Sequence, residues 1–219
     1  MHDLRGKFIV FDGNEGCGKS TQAQLAHAAI EKAGVAAVLV RDPGTTRIGE
    51  LIRGILLDPQ NTEIVLRCEM LLFMAARAQL MHQTILPALQ EGNCVISDRF
   101  ISSTLAYQLG GDGLTEAEIL AVGRTAVHEH WPDMTFIFDL PVSVSSARTR
   151  PKFTLFPDDP VAGAEKDRIE RRSPEYHEIV RQNYLRQAKH NRRKYRVIDA
   201  DRSVEKVHAE VMEQLARLQ

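Results

Sequence analysis

The chain has 219 residues, 43% of them hydrophobic and 26% charged, with a formal net charge of -1. That length and balance suit a folded domain with a sizeable core and exclude a disordered, fibrous or membrane-embedded chain. Charge is unevenly spread: of 28 Lys and Arg, 14 lie between Arg148 and Arg196 against 7 acidic residues.

That basic stretch invites a nucleic-acid reading, but no aromatic interleaving or nucleic-acid motif accompanies it. Arginines facing nucleotide phosphates, together with solvated helix faces, explain it better, so no nucleic-acid partner is expected. No apolar run is long enough to span a bilayer, and Met1 to Arg5 leads into the first strand without a signal-peptide core. A cytoplasmic location with no membrane partner is the expectation. Cys17, Cys68 and Cys94 are odd in number and lack metal-ligand spacing, so neither a disulfide framework nor a zinc site is implied.

The first strand is the apolar run Phe8-Ile9-Val10-Phe11. It is followed by Gly13-Asn14-Glu15-Gly16-Cys17-Gly18-Lys19-Ser20, a glycine, four residues and Gly-Lys-Ser. Glycines let successive amide N–H groups turn inward on phosphate oxygens, and the helix that begins near Lys19 adds its positive end. In such a loop Lys19 reaches the outer phosphates of a nucleoside triphosphate and the Ser20 hydroxyl lies on Mg²⁺. Within it, Cys17 reads as a small space-filler.

Helix one runs from Lys19 to about Ala33 and stops at Gly34. Strand two is Ala37 to Val40, followed by the loop Arg41-Asp42-Pro43-Gly44-Thr45-Thr46. A helix covers Ile48 to about Leu57, and a long one Glu63 to about Leu89. On the latter, Phe73 and Arg77 share a face, and an arginine among apolar residues needs an anionic partner, either a carboxylate or a ligand phosphate. Strand three, Cys94 to Ser97, ends in Asp98-Arg99, which places a carboxylate for Mg²⁺ beside the phosphate loop. Ser102 to Gln108 forms a short helix, and Thr115 with Glu118 makes a capping box for a helix ending near His130. Strand four is Thr135 to Phe138, and a helix from about Val142 ends in Arg148-Thr149-Arg150. Residues 151–166 hold three prolines and no clear period, and read as a mobile flap. A basic helix from Pro174 to Asn191, strand five at Tyr195 to Ile198 and a helix from Val204 to Leu218 complete the chain. Strands alternating with helices at this spacing predict an α/β fold, a parallel sheet covered on both faces, in one domain over 1–219.

A phosphate loop is shared by many enzyme classes. The guanine-specifying Asn-Lys-x-Asp of GTPases is absent, and motors are usually larger. Surplus arginine, at Arg77, Arg99, Arg148, Arg150 and Arg168, suits phosphoryl transfer between two phosphate-bearing molecules.

Four motifs in order, Gly13 to Thr21, Arg41 to Thr46, Asp98-Arg99-Phe100 with Ala106-Tyr107-Gln108, and Asp167-Arg168-Ile169-Glu170, resemble those of thymidylate kinase over nearly the whole chain. The resemblance implies a three-layer P-loop nucleoside monophosphate kinase fold with a five-stranded parallel sheet, and transfer from ATP to dTMP with Mg²⁺. Gly13 to Thr21 would bind ATP, with Lys19 catalytic, and Ser20 and Asp98 would hold the metal. Phe73 would stack on thymine, Arg77 would contact its carbonyl edge, and Pro43, Thr104 and Gln108 would lie near the ring. Arg99 would bind the dTMP phosphate, Glu15 the sugar 3′-hydroxyl, and Tyr107 would pack under the deoxyribose. The family divides by whether its catalytic arginine sits in the P-loop or in a lid. Gly16 stands where the first kind has arginine, so Arg148 or Arg150 in a lid at about 148–170 would serve, with Arg168 a weaker candidate. Gly44-Thr45-Thr46 departs from the usual Gly-Gly-Thr. Relatives are commonly homodimers. The rival readings are a kinase of another nucleotide or nucleoside, and a nucleotide-binding regulatory module without catalysis.

Overall fold

The computed structural model describes residues 4–148 and 166–218. Strands β1 (Phe8–Gly13), β2 (Ala37–Arg41), β3 (Cys94–Asp98), β4 (Met134–Asp139) and β5 (Tyr195–Asp199) form one parallel sheet in the order β2-β3-β1-β4-β5. Every residue of β1 is buried, which is why an unbroken apolar run occupies the centre of the sheet. Its Phe11 lies opposite Asp98 on one side and Phe136 on the other.

Alternation along the strands divides the core into two faces. Ile9 and Phe11, with Ile96, Phe136 and Phe138, pack against α1 (Lys19–Lys32) and α9 (Val204–Ala216) through Ala23, Ala26, Ile30, Val207 and Val211. Phe8, Val10 and Val95 pack the opposite way, against Met70 and Met74 of α3 (Leu66–Leu80), Ile101 of α5 (Ile101–Tyr107) and Ile119 of α6 (Glu116–Val127). Outside α5 runs α8 (Pro174–His190), which with α2 (Arg47–Leu57) closes a third cluster around Leu56, Tyr107, Val180 and Tyr184. Among the described residues no helix is long and apolar enough to cross a membrane.

Two helices depart from expectation. The long helix begins at Leu66 rather than Glu63, and passes through a π-helical turn, Met81–Ile85, before α4 (Leu86–Gln90). Pro87 has no N–H for the carbonyl four residues back, and the wider turn just before it accommodates the loss. The capping box forms as expected, with Thr115 Oγ1 accepting from Glu118 N and Glu118 Oε2 from Thr115 N. That helix stops at Val127, however, because His128 turns left-handed at φ 48° and donates its N–H to Arg124 O.

Because all strands are parallel, the residues after β1, β2 and β3 emerge at one edge, and the strand order reverses beside β1, where such sheets bind ligands. The loop after β2 explains the unusual Thr45. It sits at φ 66°, a conformation that favours glycine. As β2 is an edge strand, the Arg41 N–H has no strand to receive it and donates instead to Thr45 Oγ1 at 2.8 Å, while Thr45 N donates to Glu50 Oε1 at 2.7 Å. The hydroxyl thus offsets the strain.

Thr45→Val keeps the branching and deletes the acceptor, leaving a main-chain donor unmet. It should lower stability by about 1–3 kcal/mol in denaturant titration. Thr45→Gly exchanges strain for a lost bond and should stay within about 1 kcal/mol of the parent.

Candidate active site

The residues from Gly13 to Ser20 wrap the N-terminus of α1, which Gly18 caps in the left-handed conformation with no side chain over the helix end. An open N-terminus of a 14-residue helix, with no acidic residue in its first turn, favours an anion. Lys19 is nearly buried beneath the loop, its Nζ 3.5 Å from Asn14 O and 3.6 Å from Glu15 Oε2. Gly13 has φ 146°, and a Cβ there would lie 2.6 Å from Phe138 O. Gly16 has φ 70°, and a Cβ would lie 2.8 Å from Ser145 O on α7 (Val142–Arg148). No side chain fits at that position without movement of α7. The Cys17 thiol is buried, and burial pushes its pKa up despite the pull of Lys19, as befits a space-filler.

Ser20 Oγ donates to Asp98 Oδ2 at 2.5 Å. The other oxygen, Asp98 Oδ1, is buried and has no hydrogen-bond partner among the described residues. A hydroxyl and a carboxylate with one unmet oxygen, beside a phosphate-binding helix end, are donors of the kind a hard divalent cation such as Mg²⁺ takes.

Arg99 follows Asp98 at φ 73°, held there by Arg99 N donating to Phe11 O and Ser97 Oγ donating to Arg99 O. Strained backbone of this kind concentrates at functional sites. Its Nη1 donates to Gly13 O at 3.1 Å and Ser103 Oγ at 2.9 Å, and its Nη2 forms an ion pair with Glu15. The guanidinium lies over Tyr107, 5.3 Å from the ring centre. Burial works against the Arg99 charge, but Tyr107, Glu15, Tyr184 and Asp12 outweigh it and hold the group well above its ordinary range. Beneath it, the fully buried Asp12 accepts from Gly13 N, Ser102 Oγ, Ser103 Oγ and Tyr184 OH at 2.6–3.0 Å.

Beyond the loop, α3, α5 and the turn after β2 converge. Arg77 is 1% exposed and every nitrogen donates: Nε to Asp42 Oδ2 at 2.5 Å, Nη1 to Met74 Sδ and Thr104 Oγ1, Nη2 to Phe100 O. The anionic partner left open by the sequence is therefore the Asp42 carboxylate. Pro43 is buried beside it after a cis peptide bond, and Phe73 is half-buried one turn before Arg77. Thr104 and Gln108 are each 1% exposed.

Comparison with known proteins decides what kind of site this is. The family model described as thymidylate kinase matches residues 11–211. The chain is 42% identical to the thymidylate kinase of Pelotomaculum thermopropionicum, over 95% of this chain and 92% of that one, and 42% identical to that of Symbiobacterium thermophilum, over 93% and 90%. The crystal structure of thymidylate kinase from Ehrlichia chaffeensis superposes with a TM-score of 0.73 at 29% identity, covering 96% of this chain and 98% of that one. The chain belongs to the thymidylate kinase family. Its five-stranded sheet with helices on both faces is the P-loop nucleoside monophosphate kinase fold.

Within this thymidylate kinase fold the expected lid arginines separate. Arg148 donates to Ala200 O and to Asp201 Oδ1, both at 3.1 Å, on the loop after β5. Arg150 lies outside the described residues, as does most of the expected flap. Arg168 is paired with Glu69 and donates through Nε to Leu56 O. Glu69, buried and joined also by Arg172 and Gln108, went unnoticed in the sequence, as did Asp12 and Tyr184. Glu69 lies four residues before Phe73 on one helical face, a spacing that could have drawn attention to it.

Ser20→Ala removes one donor of the expected metal pair and releases Asp98. The Mg²⁺ concentration giving half-maximal ATP binding in calorimetry should rise about tenfold, with metal-free ATP binding changed by less than about twofold. Equal loss with and without Mg²⁺ would remove the metal from these residues.

Proposed function

We propose that the protein transfers the terminal phosphoryl group of ATP to dTMP, with Mg²⁺, giving dTDP. The observation that carries this reading is the ion pair between Glu15 of the phosphate loop and Arg99. It ties a triphosphate cradle to a second cation a few ångströms away, at the sheet edge where two phosphate-bearing molecules would meet end to end. Family membership along nearly the whole chain supplies the acceptor.

Gly13 to Thr21 hold ATP, Lys19 stabilises charge on its outer phosphates, and Ser20 and Asp98 hold Mg²⁺, which when bound neutralises phosphate charge. Arg99 takes the dTMP phosphate and Glu15 the 3′-hydroxyl. Tyr107, packed under Arg99, supports the deoxyribose. Phe73 stacks on thymine, and Arg77, with Pro43, Thr104 and Gln108, surrounds the ring. Arg77 suits a fixed contact to a neutral carbonyl, because Asp42 already balances its charge. For the arginine that bridges the transferring group we favour Arg150 in a lid at about 148–170, since Arg148 is engaged by Asp201 and Ala200.

The working form is a homodimer in this proposal. Ile48, Leu51 and Ile55 lie along one stripe of α2, at 38%, 58% and 48% exposure, and Leu71 of the adjacent α3 is 50% exposed. An apolar stripe of this kind left in water fits a self-complementary face, and a second copy of the chain is the occupant we favour. A cytoplasmic location accords with three free cysteines.

A phosphoryl-transfer assay across dTMP, dUMP, CMP and thymidine should show dTMP turned over fastest, and failure with every monophosphate would end the proposal. Arg150→Ala should lower kcat about 10³-fold while the Kd for dTMP moves less than about twofold. Unchanged turnover would assign the role elsewhere. Leu51→Glu should convert a dimer to a monomer in light scattering.

A further inference from the structure

Gln108 carries a buried amide oxygen, Oε1, with no hydrogen-bond partner among the described residues. Its other end is fixed: Nε2 donates to Glu69 Oε1 at 2.7 Å. Glu69 is fully buried, and its second oxygen, Oε2, takes Arg172 Nη2 at 2.6 Å and pairs with Arg168. Arg168 is anchored in turn by Leu56 O, and Arg172 by Tyr176, whose hydroxyl donates to Tyr107 O at 2.6 Å.

This arrangement fixes the polarity of the amide. A carboxylate between two guanidinium groups only accepts, so rotating the Gln108 amide by half a turn would set oxygen against oxygen while exposing the amino group to nothing. The NH₂ therefore stays on Glu69, and the oxygen stays where no protein donor meets it. A buried carbonyl without a donor carries a desolvation penalty, which is relieved when a ligand N–H arrives. Arg77, two turns on along α3, offers only donors to a ring, and Thr104, one turn back on α5, already accepts from it and has its hydroxyl proton free to donate. Of the groups assigned to the base, Gln108 Oε1 is thus the acceptor left unmet among the described residues, beside donors from Arg77; Asp42 Oδ1, also unmet there, belongs to the carboxylate that balances Arg77. The base edge that answers it carries an N–H flanked by carbonyls, the imide of thymine or uracil. Cytosine offers a bare ring nitrogen at the same place.

We propose that Glu69 is the positioning residue for base specificity: by holding the Gln108 amide in one orientation it admits imide-bearing pyrimidines and rejects aminopyrimidines. This rests on the base-pocket assignment proposed above and adds a residue that touches no substrate. It also places base selection under the control of Arg168 and Arg172, which belong to the segment before α8 and not to the pocket walls.

The probe is 5-methyl-dCMP, which matches dTMP in shape and methyl group and differs only at the amino and ring-nitrogen positions. In Glu69→Gln the neutral side chain can donate as well as accept, so the Gln108 amide is free to turn. The ratio of kcat/KM for dTMP over 5-methyl-dCMP should fall about tenfold to a hundredfold, chiefly through improved use of 5-methyl-dCMP. Glu69→Asp, which keeps the carboxylate, should retain more of the ratio than Glu69→Gln. Should Glu69→Gln fold poorly, Gln108→Met deletes the acceptor while Glu69 keeps its pairing with Arg168 and Arg172, and should lower the ratio to a similar degree. Combining the two should lower it no further. Equal loss on both substrates, or an unchanged ratio in either single variant, overturns the inference while leaving a dTMP kinase. Wild-type protein that phosphorylates no dTMP would defeat the functional reading itself.

Discussion

The Asp12 carboxylate, wholly buried at the end of β1, is the constraint on which the site rests. A carboxylate with no partner at that depth would cost several kcal/mol, so its position dictates what surrounds it. Three hydroxyls answer, from Ser102 and Ser103 at the start of α5 and Tyr184 on α8, together with the Gly13 amide. These groups come from three separate parts of the chain. Satisfying one buried group therefore brings the mouth of the phosphate loop, the start of α5 and the middle of α8 to a common point. Arg99 lies against the same cluster, 3.5 Å from Asp12 Oδ1, and shares Ser103 and Tyr184 with it. The strained turn at Arg99 is sustained by that surrounding frame, not by its own local preference.

A second layer of charge sits above this frame. Glu15 pairs with Arg99 and lies 3.6 Å from Lys19, so one carboxylate serves the cation proposed for each nucleotide. Without ligands Glu15 offsets part of their charge, which limits the repulsion that two bare positive groups in one cleft would exert on the fold. On the proposed reading, phosphates displace the carboxylate from both, and it becomes an acceptor for a sugar hydroxyl. The same three groups then serve a stable free protein and a loaded one, with no change of charge on the protein itself.

Much of this is legible in the sequence alone. Glycine spacing followed by Lys19-Ser20 reads plainly because a phosphate loop needs glycine for its backbone and those two side chains for phosphate and metal. The strands read plainly too, since a central parallel sheet demands unbroken apolar runs such as Phe8 to Phe11. The Asp98 and Ser20 pair could be anticipated from its place at a strand tip. Asp12 could not, and the spacing of Glu69 from Phe73 does not say what Glu69 holds, because the value of a buried carboxylate lies in partners some 90 to 170 residues away. Arg77 was half-legible: its need for an anion followed from its apolar neighbours, but Asp42 became the partner only through the fold. Arg168 illustrates the opposite error. A motif arginine near the expected flap invited a phosphate, whereas it is committed to Glu69.

The surplus of arginine, the feature that pointed to phosphoryl transfer, thus divides by the exposure of each partner. Asp42 and Glu69 are sealed from water, and separating Arg77 or Arg168 from them would strand a charge at a cost of about 3–5 kcal/mol. Such arginines are fixed parts of the protein and can offer a ligand only directional N–H contacts. Glu15 is 31% exposed, so water screens it and compensates it when Arg99 turns to another anion. A pair that water reaches on one side is held less firmly than a sealed one, and a phosphate dianion can replace its carboxylate. On the proposed reading Arg99 is therefore the exchangeable cation of the cluster, and a carboxylate left partly in water is what makes it so.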